Sequence, residues 1–476
     1  MSIRISMFAC LALTAAAPLA AQRIDQLSAG TRRFVAVPEP VVAITNVTVI
    51  DGTGAAPKPH QTVLIREGRI AAVGPASSTS IPTGARSIDG TGQTLIPGLV
   101  GMHDHLFYMA AGGRNVNAQF TSTRLYLAGG VTTVRTTGAN SAYADIKAKA
   151  DVDAGRMPGP RIHLTAPYLT GHGNNGDAVM AVAETPEQAR RFVDYWADEG
   201  ATWLKAYTDI SRENLGAAIA EAHRRGLKVT GHLCSVSYRE AVALGIDNLE
   251  HGLFTASDFA TGRGDGQCPA DQFMRAGAAE PGGELWQDVI RTMIDANVAM
   301  TGTLAVIEPF VPRRPTADPR ALEAMAPEVR EAYMTQRRMI DSTMQGIPEP
   351  MFLNAMAFEK AFHDAGGLLA AGVDPTGIGG ALPGYGDQRN YELFIEAGFT
   401  PGAAIQVMTL NGARILGVDG ELGSIETGKL ADLVLLPGDL AADAAVINSP
   451  RYVFKDGVGY DPAPLIASVK GRVGIN

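Results

Sequence analysis

The sequence predicts an α/β protein: a TIM (β/α)8 barrel with a small β-sandwich domain formed by the N- and C-terminal segments. Three observations predict it. Eight short apolar runs alternate with helical stretches through the middle of the chain, β-rich segments flank that middle on both sides, and 476 residues suffice for a barrel plus a smaller domain.

Residues 1–21 read as a signal peptide. Arg4 gives a short positive region, Met7 to Ala17 is apolar, and Pro18 to Ala21 supplies small residues for cleavage before Gln22. A periplasmic or secreted protein is therefore expected. The apolar run is shorter than the roughly 20 residues that span a bilayer, no later segment reads as membrane-spanning, and Cys10 is misplaced for a lipid anchor. Export leaves Cys234 and Cys268. Two cysteines in so long a chain are not a disulfide scaffold; a small buried residue and a loop residue are expected, with pairing the lesser alternative in an oxidising compartment.

Residues 38–96 form the first part of the expected sandwich. AITNVTVID, TVLIREGRIAAVG and ARSIDGTGQTLIPG alternate Val and Ile with Gly, Asn and Asp, the pattern of hairpins. Residues 417–474 form the second part, with β signals in GSIETGKLADLVLLPG and again around Tyr452 to Val473.

Residues 97–416 are the expected barrel. Strands are placed at Leu99 to His105, Val131 to Arg135, Arg161 to Ala166, Trp203 to Tyr207, Lys228 to His232, Asn248 to His251, Val298 to Thr303 and Leu368 to Asp374. The intervening helices carry start and stop signals, as in TPEQARRFVDYWADEG, where Thr185 precedes Glu187 and Gln188 and Gly200 closes the run. Two connections, Gly252 to Glu284 and Leu304 to Gly367, are longer than a barrel requires, as lids and substrate walls often are.

With 40 basic against 49 acidic residues the formal charge is -9, which offers no basic surface for a phosphate backbone. No nucleic-acid partner is expected. A small-molecule substrate is, and the chain is compatible with a homo-oligomer.

The side chains that bear chemistry sit where the proposed strands end. His103 and His105 end the first, Lys205 the fourth, His232 the fifth, His251 the sixth and Asp374 the eighth, and strand ends of a TIM barrel share one mouth. Residues two apart on a strand face the same side, so His103 and His105 can bind one ion together. Any one of these histidines could be a satisfied core residue; four of them converging on one mouth point to metal ligands. Lys205 sits inside an apolar strand, where a bare ammonium is costly. It is either snorkelling or paired, or it is carbamylated by carbon dioxide into a carboxylate able to bridge two cations. Asp374, in GVDPTG, is either a turn former before Pro375 or a ligand that also exchanges protons with reacting groups.

These pieces together resemble the amidohydrolase superfamily over nearly the whole mature chain. The likeness is carried by NVTVIDGTG, LIPGLVGMHDHL, WLKAY, the GH and EHG strand ends, VDPTG, and LNGARILG followed by GSIETGKLADLVLL. The chain looks like the binuclear, carbamylated-lysine branch, close to Xaa-Pro dipeptidases, ochratoxin-hydrolysing amidases and exported imidazolonepropionase-like proteins. The resemblance implies His103, His105 and Asp374 on one divalent ion, His232 and His251 on a second, a carbamylated Lys205 bridging them, and zinc as the usual metal. Ser235 stands where the deaminase branch places a Glu, which argues against purine deamination.

The resemblance implies hydrolysis of a carbon–nitrogen bond, of an N-acyl amino acid or a dipeptide, by water activated between two cations, with Asp374 shuttling the proton. His172, in LTGHGNNG, is a candidate donor to the oxyanion or a loop-stabilising residue. Tyr207 and Tyr238 are further candidate donors or core aromatics. Arg389, in GYGDQRNY, could grip a substrate carboxylate, or pair with Asp387 or another acid. Alternative expectations are a lactonase or phosphotriesterase, a cyclic-amide hydrolase, against which Lys205 argues, and a barrel that binds without catalysis, which should lack ligands.

Overall fold

In a computed structural model, which describes residues 19–173, 179–262, 264 and 266–475, parallel strands follow one another through the middle of the chain. Leu99–Asp104 pairs with Val131–Thr136, which pairs with Arg161–His163. After Leu164 the chain resumes as Thr165–Thr170 and leads a second parallel sheet through Trp203–Ala206, Lys228–Gly231, Asn248–Glu250, Ala299–Gly302 and Leu369–Ala371. The exit of the last strand returns to the first: the Asp374 amide donates to the His103 carbonyl at 2.8 Å. Beside it the Val373 amide donates to Asp104 Oδ1 at 3.1 Å. The fold is an α/β one of TIM-barrel-like type.

These strands are buried on both faces, as parallel strands covered by helices must be, and so read as near-continuous apolar or β-branched runs. Helices cover them for the reasons their sequences give. Pro186–Asp198 starts where the Thr185 hydroxyl accepts from the Gln188 amide at 3.3 Å, with Pro at its first position and Ala189 and Val193 turned inward.

The two ends of the chain share one nine-stranded sheet. Val41–Val49 pairs with Lys58–Arg66, Arg86–Asp89 and Thr94–Pro97, and Leu433–Leu436 lies antiparallel to Thr94–Pro97, joining the C-terminal strands to the N-terminal ones. Arg161 ties this sheet to the parallel strands, reaching Asp432 at 3.0 Å and Asp456 at 2.6 Å.

The structure makes two corrections and one addition. The region from Tyr452 to Val473 is not β throughout: after Tyr452–Lys455 and Val458–Tyr460 comes a helix, Pro462–Ala467, because Asp461 accepts from the Ala463 amide at 2.9 Å and Pro462 presets the first turn. Cys234 and Cys268 are joined in a disulfide, with Cα atoms 4.9 Å apart, since the long connection after the sixth strand folds back on the end of the fifth. Thirdly, an unexpected hairpin, Phe107–Ala110 with Arg114–Asn117, follows the first strand and turns at Gly112 and Gly113, both at positive φ. Residues 1–18 of the expected signal peptide lie outside the described residues. Among those described, no helix is long and apolar enough to cross a membrane.

Candidate metal centre

Parallel strands put their C-terminal ends at one mouth, and His103, His105, Lys205, His232, His251 and Asp374 all line a single cavity there. His103, His251 and Asp374 offer ligand atoms within 4.8 Å of one another. His103 Nε2 lies 3.6 Å from Asp374 Oδ2, and His105 Nε2 lies 3.4 Å from Asp374 Oδ1. The rings of His232 and His251 are 4.4 Å apart, and those of His103 and His251 4.5 Å apart.

Two of these residues have a backbone that few side chains tolerate. His251 has φ 65° and Asp374 φ 48°, the left-handed region, at a cost of about 1–3 kcal/mol each. Neighbouring strands hold them there, for the His251 amide donates to the Thr301 carbonyl at 2.8 Å, as the Asp374 amide does to that of His103. The turn at His251 breaks strand alternation, so the consecutive side chains of Glu250 and His251 both reach the His103 ring.

One ring nitrogen of three histidines is occupied within the protein. His103 Nδ1 sits 2.7 Å from Glu250 Oε2, His105 Nδ1 3.1 Å from the Gly138 carbonyl, and His251 Nδ1 2.7 Å from Thr303 Oγ1. That leaves each Nε2 for the cavity, the arrangement by which metal-binding histidines are oriented. Burial, then the neighbouring Lys205, lowers the His103 pKa to about 4 and that of His232 to about 3, and burial with the other histidines holds His251 well below its ordinary value. The imidazoles of His103, His232 and His251 are thus neutral at pH 7, as ligation requires. Burial pushes the Asp374 carboxyl up, but His103, His105 and His251 outweigh it and keep it ionised.

Lys205 is buried among them, and its Nζ has no hydrogen-bond partner; the same is true of His251 Nε2. Burial lowers the lysine pKa from 10.5 to about 8. Two orphaned nitrogens beside neutral imidazoles and a carboxylate are a donor set that fits divalent cations, which would complete the bonds those atoms lack.

The sequence reading missed the support beneath the ligands. Glu250, fully buried, accepts from Arg135 Nη2 at 2.6 Å, from Asn248 Nδ2 at 3.1 Å and from the Thr230 hydroxyl while contacting His103. Arg135 is buried too, its guanidinium 4.5 Å from the Trp203 ring and donating to the Met102 carbonyl. Burial pushes the Glu250 carboxyl up, yet Arg135, Lys205 and His103 together hold it well below the carboxylate range. Tyr168 and Asn140, also missed, line the cavity.

The remaining candidates divide. Tyr207 lines the cavity with its ring 4.8 Å from that of His232. His172 is brought elsewhere: it is exposed and pairs with Glu184 at 2.8 Å, and 174–178 of its loop lie outside the described residues. Tyr238 is fully buried, with its hydroxyl 2.7 Å from the carbonyls of both Glu250 and Gly252, so it braces the left-handed turn at His251 rather than facing the cavity. Arg389 binds Glu308 through two bonds of 2.8 Å and Glu392 through one of 2.5 Å, the other-acid alternative, while Asp387 instead accepts from the Gly384 amide. It lines a different cavity, with Tyr385 and Asn448.

The amidohydrolase family model matches residues 94–459, well over half of the chain. The chain belongs to the amidohydrolase family. It is therefore an enzyme that hydrolyses carbon–nitrogen bonds, in a family that generally uses divalent metals. Among curated relatives it is similar to an imidazolonepropionase from Phocaeicola vulgatus, 25% identical over 80% of this chain and 86% of that one. Among solved structures it resembles a prolidase-named protein from Bifidobacterium longum, at 26% identity, a TM-score of 0.65 and coverage of 90% and 98%. The fold also matches the A. niger ochratoxinase, at 18% identity, a TM-score of 0.64 and coverage of 91% and 99%.

Proposed function

We propose that this amidohydrolase cleaves the amide or peptide bond of a small substrate at a site for two divalent cations, zinc by preference. One observation carries the reading: six donors from five strand ends line one cavity, with neutral imidazoles at His103, His232 and His251 and two buried nitrogens that lack partners. His103, His105 and Asp374 would hold one cation, and His232 and His251 the other. Lys205 would bridge them as a carbamate: its neutral amine forms a nitrogen–carbon bond to carbon dioxide and releases a proton, which removes a lone amine from the interior. The cations would supply Lewis acidity toward the carbonyl and lower the pKa of a bound water.

The protein's own groups do the rest. Asp374 is ionised and so can accept the proton of the attacking water at a carboxylate oxygen and return it to the departing nitrogen. Tyr207, on the cavity wall against His232, supports the reading of an oxyanion donor. Export to the periplasm or beyond is part of the proposal, supported by the leader sequence and by the Cys234–Cys268 disulfide, which persists in an oxidising compartment. Arg389, offered from sequence as a grip for a substrate carboxylate or as an acid's partner, is engaged by Glu308 and Glu392, so the reading kept is the amide bond itself.

The test is zinc content together with hydrolysis of dipeptides, N-acyl amino acids, neutral amides, lactones and phosphotriesters, before and after chelation. Amide cleavage that vanishes on chelation and returns with zinc is expected. Hydrolysis indifferent to chelation, or confined to phosphotriesters or lactones, would overturn the reading.

A further inference from the structure

The cavity above the histidines measures about 230 Å³, below the roughly 300–1,000 Å³ of ordinary ligand pockets. One ring or short chain beside the scissile bond fills it. The hairpin after the first strand supplies one wall, and its two faces are unlike. Tyr108, Ala110 and Val116 pack inward against Val329 and Tyr333. The alternate residues Phe107, Met109 and Asn115 line the cavity, with Met109 and Asn115 cross-strand partners and the Phe107 ring 4.4 Å from His105.

On another wall Tyr168 and Tyr207 meet edge to face at 5.2 Å. Met180 lines the cavity as well. An apolar ligand resting on Phe107, Met109 and Met180 removes their surface from solvent. The polar groups of the described wall residues are uncharged: the amides of Asn115 and Asn140 and the hydroxyls of Tyr168, Tyr207 and Thr376. Among the described residues of the lining, formal charge is confined to Lys205 and Asp374, which belong to the metal centre.

We propose that the site selects amides whose flanking groups are uncharged and apolar or aromatic, and discriminates against the free α-carboxylate of dipeptides and N-acyl amino acids. The inference rests on the amide hydrolysis proposed above and names its substrate class. A carboxylate entering here surrenders its hydration against Phe107, Met109 and Met180, where the described wall residues offer uncharged amides and hydroxyls and no cationic side chain outside the metal centre to replace it. A ring or alkyl group gains from the same walls.

The experiment compares N-benzoylglycine with N-benzoylglycinamide, which carry one ring, share the benzoyl amide bond and differ in one charge, by benzoate release from the zinc-loaded enzyme. The neutral compound should win by roughly 100-fold in kcat/KM, carried mostly by KM, the scale set by an unpaired polar group in a pocket. Met109 and Met180 are only half-buried, so M109A and M180A should fold and should each erode the preference, while M109R should improve the acid. Equal or better use of the acid, or a preference unchanged in all three variants, would overturn the inference. If neither compound is cleaved, the amide-hydrolysis reading fails for them, and calorimetric binding of the same pair then decides the pocket's preference: tighter binding of the neutral compound upholds it, and equal or tighter binding of the acid overturns it.

Discussion

His103 Nδ1 lies 2.7 Å from Glu250 Oε2, and the other oxygen of that carboxylate lies 2.6 Å from Arg135, so a buried chain of charge runs from the barrel interior to a candidate metal ligand. The carboxylate fixes the ring so that Nε2 faces the cavity, and the guanidinium fixes the carboxylate. Replacing Glu250 with Gln keeps the shape and removes the charge. Zinc affinity should fall ~10–100-fold, and Arg135, left without its counter-ion, should cost the fold about 3–5 kcal/mol. Zinc titration and denaturant unfolding of E250Q read both; an unchanged zinc Kd would mean that the contact does not orient the ligand.

Lys205 should destabilise the metal-stripped protein. Its ammonium is buried without a partner, and its pKa falls from 10.5 to about 8. The unfolded chain therefore binds more protons between those two values, so stability rises with pH through that window; below it the penalty, on the order of 3 kcal/mol, is fully present. K205M should raise the stability of the stripped protein at pH 7, flatten its rise from pH 8 to 10, and abolish hydrolysis in zinc. Unfolding free energies across pH for both proteins decide it, and a variant less stable at pH 7 would contradict the account.

The strand ends were legible because each donor interrupts an apolar run just before a loop, and parallel strands place such ends together whatever the loops do. Glu250 was not legible for a physical reason. Regular alternation sends it away from the side that His251 faces, and only the left-handed backbone at His251 reverses that; nothing local in DNLEHG announces it. Arg135 was read only as a strand end, since burial of its charge depends on a partner 115 residues away. The roles first given to His172 and Arg389 turned on which acid lies nearby, Glu184 and Glu308, and loop contacts of that kind carry no periodicity. The hairpin behind Phe107 did leave a signal, Gly112 and Gly113 between two short β runs.

Tyr238 should matter to stability and not to the chemical step. Its hydroxyl sits 2.6 Å from Thr255 Oγ1 besides touching the carbonyls of Glu250 and Gly252, and so closes the turn that His251 opens. Y238F leaves those buried carbonyls one donor short, at about 1–3 kcal/mol. Chemical denaturation should show that loss while kcat on a cleaved amide changes little in the folded variant. A large fall in kcat with intact zinc content would instead move Tyr238 into the reaction.

The disulfide joins Cys234, two residues beyond His232, to Cys268 across a separation of 34 residues. Closing a loop of that length restricts the unfolded chain by ~3–4 kcal/mol in the chain-entropy account. The metal ligands have their own anchors, for His251 is held by Thr301 and Thr303, so zinc affinity should survive its loss. Reduction, or C268S, should then lower the unfolding free energy by about 2–4 kcal/mol while the zinc Kd of the folded protein stays within roughly threefold. A variant that unfolds at the wild-type midpoint would show that the link does not stabilise, and one that folds but loses zinc would show that it holds His232 in place.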